Sequence, residues 1–207
     1  MTGMLPRMCT SATWSAMKAV IGFLLALLTP IAAVAADPYA FVDGGVVFSP
    51  DRSNNDEVEF GDEAGGSFAA GIGQRYSLSD RWRIGVEGQL IGQGIPLHGR
   101  NDKRHATADG RYFWLAGLTA NAWPEYRLND RWSLYGGGGA GPSVITAFGS
   151  SAPTVLVIGG AGARFEASDD LTLDLGGRYY WTAPATVNGA KSTYDSFGPS
   201  FRLMWFF

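Results

Sequence analysis

The chain has 207 residues, 29 of them glycine, and a formal net charge of −3. Setting aside Arg7 and Lys18 of the amino-terminal segment leaves 14 basic against 19 acidic residues, an excess that argues against a nucleic-acid binder. No apolar run after residue 36 approaches the roughly 20 residues a membrane helix requires, so insertion into a bilayer has to be by strands.

Residues 1–36 read as a cleaved secretory signal. Lys18 precedes the apolar run Ala19 to Leu28, then Thr29-Pro30 and the small residues Ile31 to Ala36. Cleavage is expected after Ala35 or Ala36, with Met17 the more natural start. The only cysteine, Cys9, leaves with this segment, so the mature chain has neither disulfide nor thiol chemistry. Residues 37–207 read as one β domain.

Three short segments punctuate that domain: Arg75 to Trp82, Tyr126 to Trp132 and Arg164 to Leu171. Each places an aromatic residue before a polar turn containing Asp and a large apolar residue after it. Asp and Asn favour such turns because their side chains bond the local backbone. Three tight hairpins predict eight strands, at 39–50, 66–77, 82–92, 111–127, 132–142, 154–166, 171–182 and 194–207, joined at the far end by four longer segments. Each strand meets the roughly 9 to 11 residues that a tilted membrane strand needs. The glycine runs Gly136 to Gly139 and Gly159-Gly160 lack the Lys-Ser/Thr ending and following helix of a phosphate loop, and read as sites of close strand approach.

Period-two alternation assigns the faces. Trp82, Ile84, Val86 and Leu90 alternate with Arg83, Glu87 and Gln89, and Leu171, Leu173, Leu175, Tyr179 and Trp181 alternate with Asp174 and Arg178. The apolar set is expected to face lipid. The other parity collects a lumen charge network of Asp43, Arg75, Arg83, Glu87, Glu125, Arg127, Arg164, Glu166, Asp174, Arg178 and Arg202. Such a face is prohibitive inside a soluble sandwich, whereas an eight-stranded barrel fills its narrow interior with paired charges. Tyr76, Trp82, Tyr126, Trp132 and Phe207 are expected to form an aromatic girdle near the short turns. In the last strand Phe201, Leu203, Trp205 and Phe207 make one wholly apolar face.

Taken together, the signal, the Asp-bearing turns, the near-balanced lumen and the terminal Phe resemble the small eight-stranded outer-membrane barrels of the OmpA/OmpX type. The resemblance implies an all-β, antiparallel up-and-down transmembrane barrel in the bacterial outer membrane, surrounded by lipopolysaccharide and monomeric. It further implies that Phe201, Leu203, Trp205 and Phe207 are the signal read by the barrel-assembly machinery.

The outer segments differ in charge. Residues 51–65 carry Asp51, Asp56, Glu57, Glu59, Asp62 and Glu63 against one Arg52, without calcium-loop spacing, and read as a solvated acidic loop. Residues 93–110 carry His98, Arg100, Lys103, Arg104 and His105, a composition suited to lipopolysaccharide phosphates. The two histidines are the whole supply, so the late-strand histidine motif of lipid A deacylases is missing. A structural or surface-interaction (adhesin-like) role is expected ahead of catalysis, with no cofactor, no metal and no nucleic acid, and with a surface ligand for the outer loops. The alternative is lipid A modification using His98, Asp102 and His105, with Ser150 or Ser151 from another loop. A narrow channel is the third reading.

Overall fold

The computed structural model describes residues 36–49, 64–97, 111–147, 149–187 and 190–207. Eight long antiparallel strands form a closed barrel: β1 (Ala36–Phe48), β2 (Ala64–Ser77), β3 (Trp82–Leu97), β4 (Arg111–Arg127), β5 (Trp132–Ala147), β6 (Ser150–Glu166), β7 (Leu171–Thr182) and β10 (Asp195–Phe206). A short hairpin of β8 (Ala185–Val187) and β9 (Ala190–Ser192) lies between the last two. Each strand pairs with its sequence neighbours, and β1 closes on β10 through Asp43 opposite Arg202 and Tyr39 opposite Phe206. Closure leaves no unpaired sheet edge, the condition for a sheet to sit in hydrocarbon.

The three tight turns share one backbone pattern. Leu78 N–H, Leu128 N–H and Ala167 N–H each donate to the carbonyl four residues on, at Trp82, Trp132 and Leu171. An Asn side chain fastens the second turn as expected, and a serine hydroxyl takes that role in the first. Ser79 Oγ accepts from Trp82 N–H at 3.1 Å, and Asn129 Oδ1 accepts from Arg131 and Trp132 N–H at 2.9 Å each.

At the opposite end, one expected long connection is absent. Only two residues separate β5 from β6, and Gly149 takes the left-handed conformation at φ 76°. A side chain is strained there, so glycine makes the tight reversal feasible. Residues 143–147 and 150–153, expected as loop, are paired strand. Pro142 lies within the ladder opposite Val155.

The outward face is apolar as expected, with Leu90, Leu175, Phe68 and Phe201 exposed. Trp82 packs edge-on to Tyr126 with ring centroids 5.1 Å apart, and Trp132 packs on Phe165 at 4.9 Å, both beside the tight turns. Inward, the barrel holds large rings that charge parity alone did not single out. Phe41 stands opposite Gly71, Tyr39 opposite Gly73 and Tyr135 opposite Gly162, so a ring on one strand lies over a bare backbone on the next. A Cβ on Gly176 would collide with Tyr135 Oη and lie 2.7 Å from the Ala161 carbonyl oxygen.

Neighbouring glycines on β7 therefore separate the two faces. Gly176→Ala should destabilise the barrel by ~1–3 kcal/mol through overpacking. Outward Gly177→Ala, whose Cβ would meet nothing nearer than 4.0 Å, should be neutral or slightly stabilising. Urea unfolding in detergent micelles, followed by heat-modifiable gel mobility, measures both.

Candidate functional site

The strand register brings the lumen charges together. Asp43 on β1 stands opposite Arg202 on β10, Arg202 opposite Asp174 on β7, and Asp174 opposite Arg164 on β6. Four adjacent strands thus alternate acid and base at one level, because inward residues recur with period two and the pairing fixes their height.

Ion pairs continue that ring into one alternating chain. It runs Asp37, Arg75, Glu166, Arg83, Glu125, Arg164, Asp174, Arg178, Asp43, Arg202, Glu87. Its tightest described links include Arg164 to Glu125 and Arg202 to Glu87, both at 2.8 Å. Glu166 also holds Arg83 in close contact. Arg127, expected in this set, stays at the turn-side rim and pairs with exposed Asp130 at 3.7 Å. Asp37, which the sequence reading left out, heads the chain through Arg75 at 3.7 Å.

Glu87 is the most heavily bonded carboxylate. It accepts from Arg202 Nη1 at 2.8 and 3.0 Å, Trp123 Nε1 at 2.8 Å, Tyr39 Oη at 3.0 Å and Asn121 Nδ2 at 3.4 Å. Asp174 accepts from Tyr135 Oη at 2.7 Å and Arg164 Nε at 3.2 Å. Aromatic faces cover the cations: Arg202 lies 4.0 Å from the Phe41 ring, Arg164 4.4 Å from Tyr135 and Arg178 4.5 Å from Trp123. An unpaired buried charge costs several kcal/mol, and these contacts offset that cost only as a set. Bonding is uneven, however. Both terminal nitrogens of Arg178, Thr119 Oγ1 and Asn121 Oδ1 make no hydrogen bond.

Above this network, toward the end away from the tight turns, the lumen becomes apolar. Val47, Ile91, Ile95, Phe113, Leu115, Ile145, Leu156 and Ile158 pack inward, and Ala185 and Val187 of the β8–β9 hairpin join them. Tyr194 stacks on Phe113 at 4.3 Å and donates to Gln93 Oε1 at 3.2 Å. These residues share the parity of the lumen charges, so apolar character alone does not mark them as lipid-facing. His98, Asp102 and His105 lie outside the described residues. Ser150 and Ser151 begin β6 beside the β5–β6 turn, where Ser151 Oγ lies 2.8 Å from Thr146 Oγ1.

Removing one partner of the Glu87–Arg202 pair should be costly. Glu87→Ala and Arg202→Met are each expected to destabilise the barrel by ~3–5 kcal/mol, and the double substitution by much less than their sum. A double-mutant cycle from urea unfolding checks this; additive losses would show that the pair is not coupled.

Comparison with known proteins agrees with this architecture. The family described as outer membrane protein beta-barrel domain matches residues 21–202. Among solved structures, the neisserial surface protein A (NspA) superposes with a TM-score of 0.54 at 16% identity, covering 84% of this chain and 99% of that one. OprG of Pseudomonas aeruginosa superposes with a TM-score of 0.51 at 12% identity, covering 84% and 97%. No curated protein sequence matches the chain significantly. Its sequence match and its closed antiparallel barrel place the chain in the outer membrane protein beta-barrel domain family, in the bacterial outer membrane.

Proposed function

We propose that the protein is a structural and surface-interacting (adhesin-like) barrel that works through its outer end. The observation supporting this reading is the filled lumen. Tyr39, Glu87, Trp123, Arg164, Asp174 and Arg202 are at most 1% exposed and come from β1, β3, β4, β6, β7 and β10. An eight-stranded interior is about wide enough for side chains alone, and here rings and guanidinium groups occupy it. This weighs against the narrow channel.

What remains for recognition is the end opposite the tight turns. There β5 and β6 run as an extended hairpin, and Ala185 and Val187 of β8 pack into the apolar part of the lumen. The basic segment containing Arg100, Lys103 and Arg104 has the charge to engage lipopolysaccharide phosphates, and the acidic segment 51–65 the opposite preference. On this reading the barrel is monomeric and the assembly machinery reads Phe201, Leu203, Trp205 and Phe207. The name of NspA, a surface protein, accords with it, although the likeness is one of fold.

The test is reconstitution in planar lipid bilayers, paired with lipid A mass spectrometry of membranes with and without the barrel. No stepwise conductance and an unchanged lipid A profile are expected. Steps that respond to charge reversal at Arg83 or Arg178 would make the protein a channel. A new lipid A species lost on His98→Ala or His105→Ala would make it an enzyme.

A further inference from the structure

The outer rim of the barrel is not level. Strands β3 to β6 run 16 or 17 residues each, against 12 for β7 and β10. At roughly 3.3 Å per residue and a 35–45° tilt, β10 rises about 19–22 Å from Trp205 to Phe197, within the apolar band, which is about 25 Å tall. Phe197 packs there on Phe48 with ring centroids 6.2 Å apart, an interfacial pair on the low side. On the opposite wall β4 climbs from Tyr126, in the turn-side girdle, to Trp114, a rise of about 28–33 Å by the same measure. Trp114, and Tyr112 beyond it, are carried past the hydrocarbon.

Trp114 lies flat against that wall. A Cβ on its ladder partner Gly94 would stand 2.8 Å from Cζ3 of the indole and 3.1 and 3.2 Å from the flanking Cη2 and Cε3. Such similar distances to three consecutive ring carbons mean contact through the face, because an edge-on approach would leave the flanking pair much farther off. One indole face therefore covers bare backbone and the other looks away from the barrel, with Trp114 55% exposed. Tyr112, 51% exposed, continues this surface, its centroid 5.8 Å from that of Trp114 and its ring inclined by 34°.

The next two strands add hydroxyls on the same rung. Trp114 pairs with Thr146 on β5 and Thr146 with Ser151 on β6, so all three share the outward parity. Thr146 Oγ1 and Ser151 Oγ lie 2.8 Å apart in one hydrogen bond, which leaves lone pairs on both oxygens and a proton on one of them for a ligand. No residue in 92–96, 112–116, 144–146 or 151–155 is charged at neutral pH.

These features select a ligand. A phosphate finds no cation among them, and an acyl chain lies below. A neutral pyranose suits both parts: its C–H face, polarised by the sugar oxygens, meets the negative face of the indole, and its hydroxyls exchange hydrogen bonds with Thr146 and Ser151. Because the plane faces sideways, along the membrane, its neighbour is the head of an adjacent outer-leaflet lipid rather than a molecule arriving from above. We infer that Tyr112, Trp114, Thr146 and Ser151 form a site for a neutral sugar unit of lipopolysaccharide. This deepens the surface role proposed above and rests on it for the identity of the lipid, but places the contact on strand residues and sugar instead of the basic segment and phosphate.

The full barrel, purified from outer membranes in mild detergent and checked for folding by heat-modifiable mobility, is tested by counting its retained lipopolysaccharide and phospholipid by mass spectrometry. Trp114→Ala should retain at least several-fold less lipopolysaccharide with phospholipid unchanged, while Trp114→Phe, which keeps a flat ring, and Trp82→Ala, at the turn-side girdle, should retain most of it. No loss, equal loss of both lipids, or equal loss from Trp82→Ala would overturn the inference. Lipopolysaccharide stripped of its phosphates and added back to delipidated barrel should show the same dependence on Trp114; dependence only with phosphates present would also overturn it. Replacing Arg100, Lys103 and Arg104 by Gln probes the phosphate contact separately, and loss there beside an indifferent Trp114 would remove this site and leave the surface role standing. Should Trp114→Ala fail to fold, Thr146→Val/Ser151→Ala decides: reduced lipopolysaccharide supports the site, and full retention refutes it.

Discussion

A sheet in hydrocarbon has no water to satisfy its backbone, and nearly everything in this structure follows from the closure which that forces. With eight strands the ring is narrow, and every inward side chain shares a small volume with those from the opposite wall. The sequence meets this limit by pairing size across strands. Rings at Tyr39, Phe41 and Tyr135 lie over glycines at 73, 71 and 162, so volume is allotted pair by pair. Residue size on one strand is therefore legible only with the facing strand in view.

Closure also governs the charges. A buried guanidinium with no partner would be untenable, and a single carboxylate satisfies only part of one. The alternating chain from Asp37 to Glu87 gives each of its inner members a neighbour of opposite sign on both sides. Aromatic faces over Arg164, Arg178 and Arg202 supply attraction where carboxylate oxygens run out. The turn-side half of the lumen is thus a polar plug and the opposite half an apolar one. Among the described residues the hydrogen-bond inventory is incomplete around the whole ring, from Arg75 and Gln93 through Thr119 and Asn121 to Arg164, Arg178 and Ser200.

Much of this is legible in the sequence. The repeated polar turns located three hairpins and hence eight strands, and parity placed the ionisable groups. The residues that escaped did so for physical reasons. Tyr39 and Phe41 share the parity of Asp43, and Trp123 that of Glu125, so the alternation already assigned them inward; the expectation that apolar means lipid-facing hid them. The strand expected over 132–142 continues through Pro142 to Ala147. Arg127 obeys the parity but sits too near the turn to reach the network, and height in a tilted barrel depends on register, which alternation does not encode. The outer residues His98, Asp102 and His105 lie outside the described structure, so the recognition chemistry of that end rests on composition.

The central claim is that the lumen arginines are fixed in a dry, hydrogen-bonded plug. The most direct measurement is nitrogen-15 NMR of the arginine side chains in the folded barrel at neutral pH, with Arg81 and Arg131 of the exposed turns as internal references. Arg164 and Arg202 should give dispersed Nε–H signals that exchange with solvent far more slowly than those two. Lumen signals that exchange as fast as the turn arginines would mean a hydrated, open interior and would contradict the account.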